Sequence, residues 1–370
     1  MLAISLKGIH PLEVKPSARI LIVQTAFLGD VVLTLPLVAA VRQWAPRARV
    51  EVLTLPANAS VLEGQPGVDA VLTYDKRGRQ RGLRGLVQMG RTIRGRAYDV
   101  VISPHRSLRS ACLVAVSGSG QRLGFRQWWT RWAYSATVPR AGHGHEVVRN
   151  HELVKLLDSK VPVPRRLSLQ VGAEKRREAA EALARAGVGE GDVLVGLVPG
   201  SQWGTKRWPA ASFAALIERV SAWSGTHCVL FGAPQERGIA AAVVAACQAP
   251  VIDLVGKTAL RDLPAYMGRC DVVVSNDTGP MHIAAALGKP MVALYGPTTP
   301  ELGFSPYGVL WEEASVASLS CRPCHAHGPE RCPLSHWRCM RELQPEHVAE
   351  GVARLLQAAK MARAARGADA

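Results

Sequence analysis

Three stretches of the 370-residue chain hold side chains whose types and spacing suit chemistry at a phosphorylated ligand. The first is 275–288, SNDTGPMHIAAALG, which reads as a strand end, a polar turn and a helix with Pro280 in its first turn. A helix start leaves N–H groups free, and with a macrodipole of about half a charge these make an anion site for a diphosphate lined by Asp277, Thr278 and Gly279. The same residues also fit a structural role, with Asp277 or Thr278 as a helix cap and His282 as a satisfied core histidine. The second stretch, 199–209 (PGSQWGTKRWP), presents Ser201, Thr205, Lys206 and Arg207 after a strand. Alone, an exposed Lys-Arg pair reads as solvated surface. Together with 275–288 it forms a two-sided clamp in which Lys206 neutralises phosphate oxygens. The third, 25–30 (TAFLGD), puts Asp30 at a strand's C-terminal end, as a general base toward a hydroxyl or equally as a helix cap.

Other motifs fail on their spacing. Residues 256–258 (GKT) resemble the end of a P-loop, but Val251 stands where its first glycine belongs. The pair Gly118 and Gly120 misses the dinucleotide fingerprint because Leu123 holds the third glycine position. No Asp-x-Asp pair occurs, so positive side chains and helix N–H groups take the neutralising role that a chelated metal has in many sugar transferases.

The elements that position these residues have the grammar of α/β units: a short Val/Ile/Leu strand, a Gly-containing turn and an apolar-periodic helix. In the first half, 19–24 reads as a buried strand, 25–30 as a turn and Val31 onward as a helix; strands follow at 50–55, 70–74 and 98–102. The texture changes between 161 and 191, where a Pro-containing extended piece leads into an Ala/Glu/Arg-rich helix over 173–186 closed by Gly187. The second half restarts with a strand at 193–198, a helix at 210–223 and a strand at 228–231. A strand–helix–strand unit then covers 271–275, 281–287 and 291–295. The expected organisation is an N-terminal extension (1–18), two Rossmann-like domains (19–170 and 171–345) and a basic C-terminal helix or tail (346–370). Ligands are expected in the cleft at the strands' C-terminal ends.

With 48% hydrophobic and 20% charged residues, the chain can bury a sizeable core and is not a disordered protein. No apolar run reaches the roughly 20 residues of a membrane span, and Lys7, Glu13 and Lys15 interrupt the centre a signal peptide needs. A soluble, intracellular protein is expected. The net charge of +16 rewards nucleic acid, an anionic membrane or a phosphorylated substrate alike. The basic residues concentrate between Lys76 and Arg109, and again at Arg354, Lys360, Arg363 and Arg366. A nucleic-acid-binding protein is the rival from another class, weakened by 5% aromatic content and the lack of a reading motif. Cys112, Cys228 and Cys270 lie isolated in or beside apolar stretches, as reduced core thiols do. Cys321, Cys324, Cys332 and Cys339 are spaced for a tetrahedral structural Zn²⁺, or else stay reduced or locally paired.

Residues 19–36 (RILIVQTAFLGDVVLTLP), 199–209 and 275–297 together, in this order and spacing, resemble the ADP-heptose:lipopolysaccharide heptosyltransferases of glycosyltransferase family 9. With 105–110, 122–125 and 254–258, the resemblance extends from about Arg19 to Leu356. It implies a GT-B fold, two Rossmann-like domains facing across a cleft, with the acceptor on the first and an ADP-sugar donor on the second. It further implies inverting transfer of L-glycero-D-manno-heptose to the inner core, with no cofactor required for catalysis. By resemblance, Asp30 matches the general base, Lys206 the diphosphate-binding lysine and Ser201 a hydroxyl near the donor. Asp277, Thr278, Gly279 and His282 match the donor-binding turn and helix start, Glu236 an acidic donor contact and Thr258 a nucleoside contact. The acceptor would be an acidic lipid A–core glycolipid at the cytoplasmic face of the inner membrane, with Arg77, Arg79, Arg106 and Arg109 as candidate contacts and no role for nucleic acid. Its sugar is a Kdo or an attached heptose; the first strand and loop resemble the second-heptose branch more. Another GT-B nucleotide-sugar transferase or an epimerase is the nearest rival.

Overall fold

The structure is a computed structural model that describes residues 17–140 and 142–368, with side chains described up to Ala362. The extension expected over 1–18 therefore lies, apart from Ser17 and Ala18, outside the described residues, as do the side chains of Arg363 and Arg366. The chain divides into two compact units between Arg165 and Arg166. Residues just past that division already belong to the second unit, where the Leu169 N–H donates to the Ala286 carbonyl at 3.0 Å.

The first unit runs β1 (Arg19–Val23), α1 (Leu28–Val32), α2 (Leu35–Trp44), β2 (Arg49–Thr54), α3 (Ala59–Leu62) and β3 (Ala70–Thr73). It continues with α4 (Gly82–Gly95), β4 (Val100–Ser103), α5 (Leu108–Ala115), β5 (Gln121–Phe125), β6 (Ala136–Val138) and α6 (Glu146–His151). The second unit runs α7 (Ala173–Arg185), β7 (Val193–Val198), α8 (Ala210–Ser221), β8 (Thr226–Leu230), α9 (Arg237–Ala246), β9 (Ile252–Asp253) and α10 (Leu263–Met267). It closes with β10 (Val272–Asn276), α11 (Gly279–Ala286), β11 (Met291–Tyr295), β12 (Trp311–Ser315), α12 (Arg338–Arg341) and α13 (Pro345–Ala368).

Each unit is a six-stranded parallel sheet, ordered β3-β2-β1-β4-β5-β6 in the first and β12-β11-β10-β7-β8-β9 in the second. Counted from each unit's own first strand, both orders are 3-2-1-4-5-6, the doubly wound Rossmann arrangement. Central strands such as RILIV and VVVSN are covered on both faces, so they are continuous apolar runs rather than alternating ones. The order reverses between β1 and β4 in the first unit and between β7 and β10 in the second. In open α/β sheets the crevice at that reversal, beyond the strands' C-terminal ends, is where ligands bind.

The C-terminal helix is no free tail. α13 packs across α8, β10, β11 and β12, burying Val348, Val352 and Leu355 in the second unit's core. Among the described residues no helix is long and apolar enough to cross a membrane.

Candidate active site

In the first unit, the loop after β1 leads into α1, whose first turn holds Asp30. The helix starts at Leu28, earlier than the expected Val31, because the Asp30 carboxylate accepts the Phe27 N–H at 3.3 Å and closes the turn from within. Asp30 is half-buried, and its pKa is raised to about 6, first by desolvation and then by the negative charge of Glu146; the Phe27 N–H, its own N–H and Arg140 oppose the shift. Glu146 is buried at the start of α6 and held by Arg140 at 2.5 Å and Arg149 at 3.2 Å. A carboxyl poised near 6 is ionised at neutral pH yet more basic than a solvated aspartate, which suits a general base.

The other strand ends of this unit supply polar and cationic groups. Lys76, after β3, donates to the Thr25 carbonyl at 2.6 Å, and burial, Arg77 and Arg109 lower its pKa. His105, after β4, lies 3.1 Å from the Thr25 hydroxyl and 2.9 Å from that of Ser110; burial and then Lys76 bring its pKa down to about 4, so the ring is neutral. Of the four arginines expected at the acceptor, Arg77 stacks over the Phe27 ring at 5.6 Å, beside the Asp30 turn. Arg109 donates to the Lys76 carbonyl at 3.2 Å. Arg106 lies in the field of Arg140, Glu146 and Arg149, and Arg79 is exposed on the turn after β3. Lys76, His105, Arg140, Glu146 and Arg149 were not among the expected site residues. The signal for Glu146 was a carboxylate and an arginine three positions apart in the otherwise apolar start of a helix.

In the second unit, the loops after β7 and β10 meet at the order reversal. Buried Lys206 donates to Asp277 at 2.5 Å, and the Thr298 hydroxyl donates to the same carboxylate oxygen at 2.7 Å. Asn276 joins the two loops, donating to the Pro199 carbonyl at 2.9 Å and accepting the Trp208 N–H at 3.2 Å. The cation is thus pinned beside Thr278, the residue before α11 and its N-terminal N–H groups. Ser201 and Thr205 are buried in the same loop, and His282 is buried within α11.

Glu236, after β8, lies against Gly200: a β-carbon built there would meet Glu236 Oε1 at 2.0 Å. Its other carboxylate oxygen accepts the Ala233 N–H at 2.7 Å. The Gly256 N–H donates to the Gly232 carbonyl at 3.0 Å and brings half-buried Thr258 to the neighbouring strand end. Of the expected donor residues, Ser201, Lys206, Glu236, Thr258, Asp277, Thr278 and Gly279 therefore all lie at or beyond strand C-terminal ends of one sheet.

All eight cysteines are free thiols, and among the described residues no group of three or more His, Cys, Asp or Glu is placed to hold a metal. Cys321, Cys324 and Cys332 nevertheless lie close enough to Cys339 to add to the rise in its pKa that desolvation begins, and the Cys321 thiol lies 3.9 Å from His336 Nε2. This cysteine-rich segment is tied down by Arg322, which donates to the Gly296 and Val316 carbonyls at 2.6 and 2.9 Å. It covers the Lys206 loop: Thr205 donates to the Pro329 carbonyl, and a β-carbon at Gly328 would meet Lys206 Cε at 2.9 Å.

Two Rossmann-like units of this topology, with their polar side chains at the strand ends, make the chain an α/β glycosyltransferase of the GT-B fold. More narrowly, it belongs to glycosyltransferase family 9 (heptosyltransferase), whose family model matches residues 86–337. It is 28% identical over 295 residues, covering 76% of this chain and 84% of the relative, to lipooligosaccharide heptosyltransferase 2 of Haemophilus ducreyi. Among solved structures, a glycosyl transferase family 9 protein from Veillonella parvula has a TM-score of 0.82 at 26% identity over 94% of this chain and 99% of that one. An E. coli heptosyltransferase solved with ADP-2-deoxy-2-fluoro heptose shares the fold, with a TM-score of 0.67 at 22% identity over 91% of this chain and 99% of that one.

Proposed function

We propose that the protein transfers L-glycero-D-manno-heptose from ADP-heptose to a Kdo or heptose of the lipopolysaccharide inner core, with inversion at the anomeric carbon and no cofactor required. The observation that carries this reading is the Asp30 carboxylate, poised near 6 in the first turn of the helix that follows β1, in a family 9 chain. Support for the donor comes from the relative named a heptosyltransferase 2 and from the neighbouring enzyme solved with a fluorinated ADP-heptose. In this account the first unit binds the acceptor and the second the donor, while the enzyme sits peripherally on the cytoplasmic face of the inner membrane.

Asp30 takes the proton of the acceptor hydroxyl as its oxygen bonds to the anomeric carbon. The bond from that carbon to the diphosphate breaks on the opposite face, and its electron pair leaves with ADP. The transition state is oxocarbenium-like, as in glycoside hydrolysis. Charge growing on the diphosphate is met by Lys206 and the N–H groups opening α11, with Ser201, Thr205, Asp277, Thr278, Gly279 and His282 shaping that pocket. Glu236 contacts the donor and Thr258 its nucleoside. Arg77, Arg79, Arg106 and Arg109 bind acidic groups of the acceptor.

The general-base role sets a pH dependence. Asp30 works only when ionised, so kcat/KM rises as pH increases through about 6 and levels off above it. Glu146→Gln removes a charge that raises the Asp30 pKa, so the midpoint of the rate profile moves to lower pH; a midpoint that stays in place contradicts the coupling. Gly200→Ala is expected to displace the Glu236 carboxylate, breaking its bond from the Ala233 N–H and lowering the thermal midpoint slightly, and to weaken ADP-heptose binding about tenfold by calorimetry. A donor panel tests the reading as a whole. Turnover with ADP-heptose and little with UDP-sugars is expected, and the reverse preference would reassign the protein to another nucleotide-sugar transferase.

A further inference from the structure

The exposed apolar side chains of the first unit are not scattered. The connection between β5 and β6 reads Arg126-Gln-Trp-Trp-Thr-Arg-Trp132, and its Trp128, Trp129 and Trp132 are 86%, 44% and 58% exposed. Burial of such large rings is the usual outcome, so three side by side on a surface call for a partner. They are held rather than loose: Trp128 and Trp129 meet edge-to-face at 5.5 Å, and the Trp132 indole N–H donates to the Trp129 carbonyl at 2.9 Å.

The same layer continues the patch. α4 and α5 are successive crossovers moving the same way along the sheet, which puts both helices on one face; α5 packs against α4 and against residues 131–133. α4 exposes Leu83 and Val87, and α5 exposes Leu108 at its first position. Charge completes the pattern. From Lys76 to Ser135 the chain holds thirteen Lys and Arg and a single acidic residue, Asp99. Arg126 and Arg131 flank the tryptophans and are exposed, as are Arg84 and Arg91 beside Leu83 and Val87.

From this juxtaposition we infer that the tryptophan-bearing β5–β6 connection, with the outer faces of α4 and α5, is a docking surface for an anionic phospholipid membrane. Indole rings settle at the headgroup level with their apolar bodies toward the acyl chains, and arginines around them pair with lipid phosphates. Neither attraction alone gives firm attachment, and the patch supplies both. A protein partner of ordinary composition offers no such uniform negative charge. Arg106 and Arg109 lie at this layer's edge, so the docked face adjoins the residues assigned to the acceptor; that last link rests on the functional reading above, whereas the surface itself does not.

The test is co-sedimentation with phosphatidylcholine vesicles, with and without phosphatidylglycerol. The Trp128→Ser/Trp132→Ser variant is expected to lose about tenfold or more in partitioning onto anionic vesicles, at an unchanged thermal midpoint. Arg126→Gln/Arg131→Gln should weaken binding to anionic vesicles only and reduce its sensitivity to salt. In the unmodified protein, brominated acyl chains should quench part of the tryptophan emission, and the serine variant should lose that part. Vesicle binding unaffected by the tryptophan changes overturns the proposal. So does a change in sedimentation coefficient without a change in vesicle binding, which would make the face a contact between copies of the chain. Vesicle binding through these residues in a protein inactive on ADP-heptose would instead overturn the functional reading and leave the docking surface standing.

Discussion

Asp30→Asn is expected to lower kcat by about 10²- to 10⁴-fold while leaving the affinity for ADP-heptose unchanged. The substitution keeps the size of the side chain and an oxygen able to accept the Phe27 N–H, so α1 still starts in the same place. What disappears is the capacity to take a proton. Because this carboxylate belongs to the unit assigned to the acceptor, donor binding measured by calorimetry should not move. Single-turnover kinetics with saturating donor isolate the chemical step, and near-normal turnover there would remove Asp30 from the mechanism. Asp30→Glu should also be slow, since the extra methylene displaces the base from a position set by the first helical turn.

Lys206→Ala is the second large effect, acting on binding and catalysis together. Loss of a preorganised positive charge at the leaving diphosphate should cost about 10²- to 10³-fold in turnover and weaken donor binding as well. The same change leaves Asp277 buried without its cation, a defect on the order of 3–5 kcal/mol in stability. A double variant separates the two consequences. Lys206→Ala combined with Asp277→Asn should recover most of the thermal midpoint, because the remaining amide can still accept from Thr298, but none of the turnover. Activity that returned with stability would show that Lys206 serves the fold and not the diphosphate. Lys206→Arg is not expected to substitute, because the buried stem lies close against Gly328 and a planar fork cannot reproduce the compact ammonium that meets Asp277.

Much of the architecture could be read from residue patterns because parallel sheets buried on both faces write themselves as apolar runs, as β1, β7, β10 and β11 do. β5 (QRLGF), β6 (ATV) and β12 (WEEAS) were not legible in the same way: they lie toward or at sheet edges, where polar residues are tolerated and runs are short. The site shows a similar division. Lys206 and Asp277 stand out because each sits in a Gly-containing loop after a strand. That they bind each other could not be read, because they are 71 positions apart and only the order reversal of the sheet brings their loops together. The spacing of Glu146 and Arg149 marks an ion pair but not its target: the influence of Glu146 on Asp30 arises from two elements distant in sequence converging in space. The tie of the cysteine-rich segment to the end of β11 was likewise hidden, since the Arg322 that makes it, through the Gly296 and Tyr295 carbonyls, belongs to no recognisable motif.

The most direct test follows a single reaction, in which ADP-heptose and a defined lipid A–core acceptor are incubated with the protein and with its Asp30→Asn form and the products weighed by mass spectrometry. The account predicts an acceptor heavier by one heptose, released ADP in equal amount, and neither product at a comparable rate from the variant. Heptose transfer that proceeds undiminished without the Asp30 carboxylate, or no transfer from ADP-heptose to any inner-core acceptor, would contradict it.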